Sequence, residues 1–161
     1  MRTEESVIEL IRKAFQDVTL ENGEGLRKAE SWDAGGEGYT EELFQLDEKE
    51  KAAGWQSLKA EDLDKYHVAL SFFDPEGMRF HLPAYMIYEL KDVFERGAGA
   101  VIFHLTYFDS DCSLNQLSLL NQEQRNAIRE YLLLIRDMER YEFYYPHIDA
   151  ALELYWTADT E

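Results

Sequence analysis

The sequence is short of cysteine, proline and cations, and each shortage excludes something. Cys112 is the only cysteine, so no internal disulfide can form and a reducing, cytoplasmic setting is the default. Three prolines and nine glycines in 161 residues are too few for a fibrous or disordered chain. No apolar run approaches the length of a membrane span. The start, MRTEESVIELIRKAF, carries charge within its first six residues, so no secretory signal is expected. Only 16 Lys and Arg stand against 33 Asp and Glu, a formal charge of −17. Residues 1–66 carry −8 and residues 67–161 carry −9, so the charge is spread rather than gathered in an acidic tail. Such a field repels phosphate backbones and anionic membranes, which argues against nucleic acid and membrane partners. It favours encounter with a basic protein.

What is present suits a folded core. Apolar residues make up 45% of the chain and aromatics 14%, and Phe, Tyr and Trp bury large areas. The length fits a single domain over residues 1–161. Thr3 to Val18 reads as a helix, with Glu4 and Glu5 in its first turn and Ile8, Ile11 and Phe15 at helical spacing. Residues 21–57 read as an irregular or short-helical connection, because ENGEGLRKAESWDAGGEGY holds five glycines. Trp32 and Tyr39 are expected to pin it, with short helical stretches at 41–46 and 48–53. Ala60 to Phe72 reads as a helix, and another is expected to start at Pro83 and stop at Arg96-Gly97. The β-branched and aromatic AVIFHLTY, 100–107, predicts a strand, and 109–115 a loop. Asn121, with Gln124 three places on, predicts a capped helix to about Arg140, and a short helix ends near ALELYW. The fold class is therefore mainly α, a compact domain of five to six helices with one or two short strands.

The stretch SFFDPEGMRFHLPAYM concentrates the reactive side chains. Asp74, Glu76, Arg79 and His81, with Tyr85 nearby, are the candidate site if the segment is functional. Two readings compete. Asp74-Pro75-Glu76-Gly77 matches a type I turn position by position, and Met78, Phe80 and Leu82 alternate with Arg79 and His81 as in an extended segment. On that reading the charged groups fasten a joint between two buried helices. The other reading is general acid–base chemistry, which needs the same groups in a cleft with shifted pKa values.

Other motifs fall short. His67, His81, His104 and His147 never stand at i, i+4, so no metal site is expected. Asp109 to Ser113 begins like a calcium loop, but Leu114 and Leu120 occupy the positions that need Gly and Glu. Cys112 has no sequence signature that supplies a base. No nucleophile elbow, phosphate loop or dinucleotide fingerprint occurs, and no cofactor is expected. One pattern is unexpected in so acidic a chain. Arg125, Arg129, Arg136 and Arg140 fall within one 60° sector at 100° per residue. This arginine stripe is expected to pair with carboxylates of neighbouring elements, or alternatively to form a docking ridge for an acidic partner or anionic ligand.

In the order of IRKAFQDV, ALSFFDPEGMRFHLPAYM, LLNQEQRNAIREYL and ALELYW, the chain resembles a largely bacterial family catalogued as domain of unknown function 6714. The resemblance implies a small domain and no known activity, so it assigns no catalytic residue. The residues themselves favour a soluble, acidic, non-enzymatic interaction domain with a basic protein partner. An immunity- or antitoxin-like inhibitor is one concrete form. A small-molecule binder or enzyme built on DPEGMRFH is the alternative, and the many Tyr and Trp residues are compatible with a homo-oligomer.

Overall fold

The hydroxyl of Thr3 accepts from the Ser6 amide at 3.0 Å and the Ser6 hydroxyl accepts from the Thr3 amide at 2.9 Å, a reciprocal cap that starts α1, Glu4–Ala14. The computed structural model describes residues 1–108 and 110–157. After α1 come α2 (Leu26–Ser31), α3 (Glu41–Ala53), α4 (Ala60–Lys65), α5 (Pro75–Leu90), α6 (Ala100–Thr106), α7 (Asp111–Gln116), α8 (Gln122–Arg136) and α9 (Tyr145–Leu154). Short 3-10 turns occupy Trp32–Ala34, Trp55–Ser57, His67–Ser71 and Glu139–Tyr144. The mainly helical class holds. Among the described residues there are nine α-helices rather than five or six, and no strand.

The helix α5 is the axis of the molecule. Twelve of its 16 residues are buried, so most of its circumference faces the core, as in a central helix. It packs against α1, α4, α6 and α7, while α1 lies along α8, and α9 covers α8 and α6. Seven helices send buried apolar side chains into one core, including Ile11, Leu26, Leu63, Phe80, Ile102, Ile128 and Ile148. Two of the three tryptophans are anchored there. Trp55 Nε1 donates to the Phe15 carbonyl at 2.8 Å and Trp156 Nε1 to the Leu105 carbonyl at 2.7 Å.

Three expectations are corrected by this burial. The segment 78–82 is helical, not extended: its alternation reflects a helix buried on several sides, so polar and apolar positions do not sort onto two faces. Pro75 takes the first helical position, and Pro83 lies inside the helix instead of opening one. The segment 100–106 is a helix whose buried residues, Val101, Ile102, Leu105 and Thr106, follow a helical stripe, with Phe103 and Tyr107 outside. A seven-residue apolar run does not distinguish the two states by composition. Gly99 precedes it at φ +80°, where a Cβ would overlap the Tyr144 hydroxyl.

Smaller differences follow the same logic. Residues 41–53 form one helix rather than two stretches, capped by Thr40. The expected helix 60–72 relaxes into a 3-10 turn after Lys65. The predicted loop 109–115 contains α7, with Asp109 itself outside the described residues. The capping box of Asn121 and Gln124 is present, and α8 ends at Arg136, short of Arg140.

Candidate functional site

Asp74 is the N-cap of α5. Its Oδ1 accepts from the Gly77 amide at 2.8 Å and from the Glu24 amide at 3.0 Å, so one carboxylate starts a helix and ties down a distant loop. Arg79 leaves the helix sideways and pairs with Glu21. His81 is fully buried, stacked on Phe73 at 4.2 Å, and its Nδ1–H donates to the Gly77 carbonyl at 2.7 Å. Burial pushes the imidazole down to about 4, so it is neutral at pH 7. The Tyr85 hydroxyl donates to the carbonyls of Leu63 and Tyr66 at 3.2 and 3.1 Å. Glu76 is half-buried beside Gly23. The five candidates therefore share a helix but not a cavity. Asp74 borders one hollow, Arg79 another, and His81 and Tyr85 point into the core.

The densest buried charge cluster lies elsewhere, and no motif announces it. Arg27 on α2 is 5% exposed, and Asp47 on α3 is 6% exposed. Arg27 Nη1 lies 3.0 Å from Asp47 and 2.9 Å from Glu50, and Nη2 is 3.4 Å from Asp62. Asp47 also accepts from the amides of Arg27 and Lys28 at 3.1 and 3.0 Å, and from the Tyr39 hydroxyl at 2.8 Å. Burial opposes the charge of Arg27, but hydrogen bonds and charges of Glu50 and Asp47 outweigh it and hold the guanidinium above its usual pKa. Burial also raises Glu50, against the pull of Arg27. This hub holds the part of the chain that reads as irregular. Tyr39 joins the hub through Asp47 at 2.8 Å, while Trp32 ties the same stretch to Glu24 at 2.8 Å, outside the hub.

The arginine stripe meets rings and carbonyls more than acids. Arg125 donates to the Tyr155 carbonyl at 2.8 Å and lies 4.6 Å from the Tyr155 ring centre. Arg140, in the turn after α8, donates to the Leu90 carbonyl at 3.0 Å and stacks on Tyr141. Arg136 pairs with Asp149 at 2.7 Å and sits 4.1 Å from the centre of the Tyr145 ring. Arg129 Nε is buried without a hydrogen-bond partner among the described residues.

A groove of about 460 Å³ runs between the joint 71–75, the outer side of α6 and α7. Gln116 of α7 builds it by donating to the carbonyls of Leu70 and Phe73 at 3.2 and 2.8 Å. Its aromatic rings face solvent: Phe72 is 36% exposed, Phe103 46% and Tyr107 43%. Phe103 and Tyr107, one helical turn apart, stack at 5.0 Å. Both walls come from stretches without lysine or arginine, residues 66–78 and 97–124. The sequence hides this groove, because Phe103 and Tyr107 lie in a stretch whose composition suits a strand.

A family model matches residues 3–160, from the cap of α1 past the end of α9. The chain belongs to the family of unknown function DUF6714. The DUF6714 match takes in the Asp74 joint, the Arg27 hub and the groove together, and it brings no activity with it. No curated protein and no solved structure matches the chain.

Within this DUF6714 chain the groove also contains a pairing that resembles a nucleophile and its base. Ser71 Oγ lies 3.5 Å from His104 Nε2. Burial pushes His104 down to about 4. An imidazole that weakly basic is a poor match for proton abstraction near neutral pH. Among the described residues no group of three or more His, Cys, Asp or Glu side chains could hold a metal ion. No helix among them is long and apolar enough to cross a membrane.

Proposed function

We propose that the chain is an acidic, non-enzymatic protein-binding domain that docks a cationic, aromatic- or aliphatic-bearing segment of another protein in the groove between the 71–75 joint, α6 and α7. The observation that carries the reading is the set of three solvent-facing rings, Phe72, Phe103 and Tyr107, on one concave surface whose walls lack cations. Large rings at the centre of a contact supply most of its energy. The formal charge of −17 supplies steering, since opposite fields raise association rates and suppress wrong partners. An inhibitor that neutralises a cationic protein, in the manner of an immunity protein or antitoxin, is one form such a domain takes.

Peptide display against the purified chain tests this. Enriched sequences should combine Lys or Arg with a large apolar anchor, and their affinity should fall as salt rises. Phe103→Ser and Tyr107→Ser should each weaken binding by roughly tenfold or more, the cost of a central aromatic anchor, with melting nearly unchanged. Enrichment of acidic or charge-free peptides, or binding that survives both substitutions, would refute the reading. A small-molecule site built on DPEGMRFH would reach this groove only through Asp74 and Pro75, and Ser71→Ala with His104→Gln tests whether the groove's polar pair matters: peptide binding through the rings survives that pair of changes.

A further inference from the structure

A separate hollow, between residues 20–28 and 39–51, has a different chemistry. It encloses about 240 Å³ and is bordered by Tyr39, Phe44, Glu24, Glu48, Lys28 and Lys51, among others. Drug-sized sites start at roughly 300 Å³, so this one suits a single head group or side chain. At its edge, Lys28 Nζ lies 4.8 Å from the centre of the Trp32 ring and 5.0 Å from that of Tyr39. No carboxylate among the described residues pairs with this ammonium. It is held by ring faces.

Both rings are fixed independently of the cation between them. Glu24 accepts from Trp32 Nε1 at 2.8 Å, and Asp47 accepts from the Tyr39 hydroxyl at 2.8 Å while anchored by Arg27 and two backbone amides. Two preset aromatic faces flanking one positive nitrogen are how proteins recognise alkylated ammonium groups. We propose that Trp32, Tyr39 and the adjoining hollow form a binding site for an alkylammonium group, and that Lys28 occupies it in cis. Lys28 is half-buried on a flexible four-carbon stem, so it can leave without disturbing α2. Its departure brings the indole face to the hollow and leaves Glu24 and Glu48 opposite Lys51 alone, which favours a cation over an anion. The site shares no lining residue with the aromatic groove, so it stands or falls independently of the protein-binding reading.

Trp32 makes the test direct, being 39% exposed while Trp55 and Trp156 are buried. Lys28→Ala and Lys28→Gln are titrated with tetramethylammonium chloride against sodium chloride of equal ionic strength, followed by tryptophan fluorescence and by calorimetry. Both variants should show saturable quenching, with a Kd roughly three- to thirtyfold below that of the unsubstituted chain, the range expected of cation–π contacts. Adding Trp32→Leu should abolish the calorimetric signal. A trimethyl-lysine peptide as a second ligand tells the source: tighter binding than tetramethylammonium points to a side chain of a partner protein, equal or weaker binding to a free small cation. Equal, unsaturated responses with and without Lys28, or heat of binding that persists without Trp32, would overturn the proposal.

Discussion

The molecule holds its arginines in two ways. Arg27 sits in the interior among Asp47, Glu50 and Asp62, buried together with Asp47 and with its charge matched by carboxylates. Arg125, Arg136 and Arg140 lie along the α8 side of the molecule, over tyrosine and tryptophan rings, with backbone carbonyls as their usual acceptors. A buried guanidinium requires fixed anions, because an unmatched interior charge is costly. A half-exposed one is already solvated, so ring faces and stray carbonyls suffice. The arginines conspicuous in the sequence are thus the more exposed ones, and the solitary one ties together positions 27, 47, 50 and 62.

The sharpest way to break this contrast is Asp47→Ala. It removes an acceptor shared by Arg27, the Arg27 and Lys28 amides and Tyr39. The loss should be about 3–5 kcal/mol, the cost of breaking a buried ion pair from one side, read as a large fall in the urea midpoint. Replacing Arg27 by Met in that variant should recover part of it, since the orphaned charge goes too. If Asp47→Ala melts like the unsubstituted chain, the hub does not hold the α2–α3 region together.

Acid tests the interior from another side. His81 is neutral when folded, near 4, against 6.5 in the unfolded chain. Between those values the unfolded state takes up the proton first, so stability is complete above pH 6.5 and falls as the pH drops toward 4. The shift corresponds to roughly 3 kcal/mol for a fully buried group. His104 shifts in the same direction. Glu30 and Glu50, raised by burial, pull the opposite way at the acid end. Urea midpoints across pH 7 to 4 should therefore decline, and His81→Phe should flatten the decline. A smaller loss, about 1–2 kcal/mol, is expected of Asp74→Ala, which uncaps α5 and frees the Glu24 amide. Asp74→Asn should keep most of that stability, because capping needs an oxygen and not a charge.

How much of this could be read beforehand depended on the range of the interaction. The α1 and α8 helices were legible because stripe and cap lie within a few residues of each other, as with Ile8 and Ile11 or Asn121 and Gln124. Asp74 was legible as a local hydrogen-bond acceptor, although the same Asp-Pro pair that starts a turn also starts a helix. The segments 78–82 and 100–106 were misread for a common reason. In the first, burial on several sides erases the one-sided hydropathy pattern, and in the second the exposed side carries Phe103 and so is apolar as well. The Arg27 hub spans positions 27, 39, 47, 50 and 62 with no fixed spacing, so only the fold reveals it. The groove was hidden similarly, since Gln116 reaches carbonyls 43 and 46 residues away.

The stripe offers the finest test of the contrast. Among the described residues Arg136 is the member of the stripe that meets a carboxylate, and Asp149 raises its pKa through a hydrogen bond. Both side chains are nonetheless open to water, at 39% and 54% exposed, where screening and lost side-chain freedom cancel most of the attraction. Arg136→Gln should leave the urea midpoint unchanged within error at 0.15 M salt. Arg125→Gln should lower it slightly, because that guanidinium also bridges the Tyr155 carbonyl and two rings. Were Arg136→Gln instead to destabilise the chain as much as Asp47→Ala does, the stripe would be a second ion hub, and closeness of charge rather than its burial would be the organising rule.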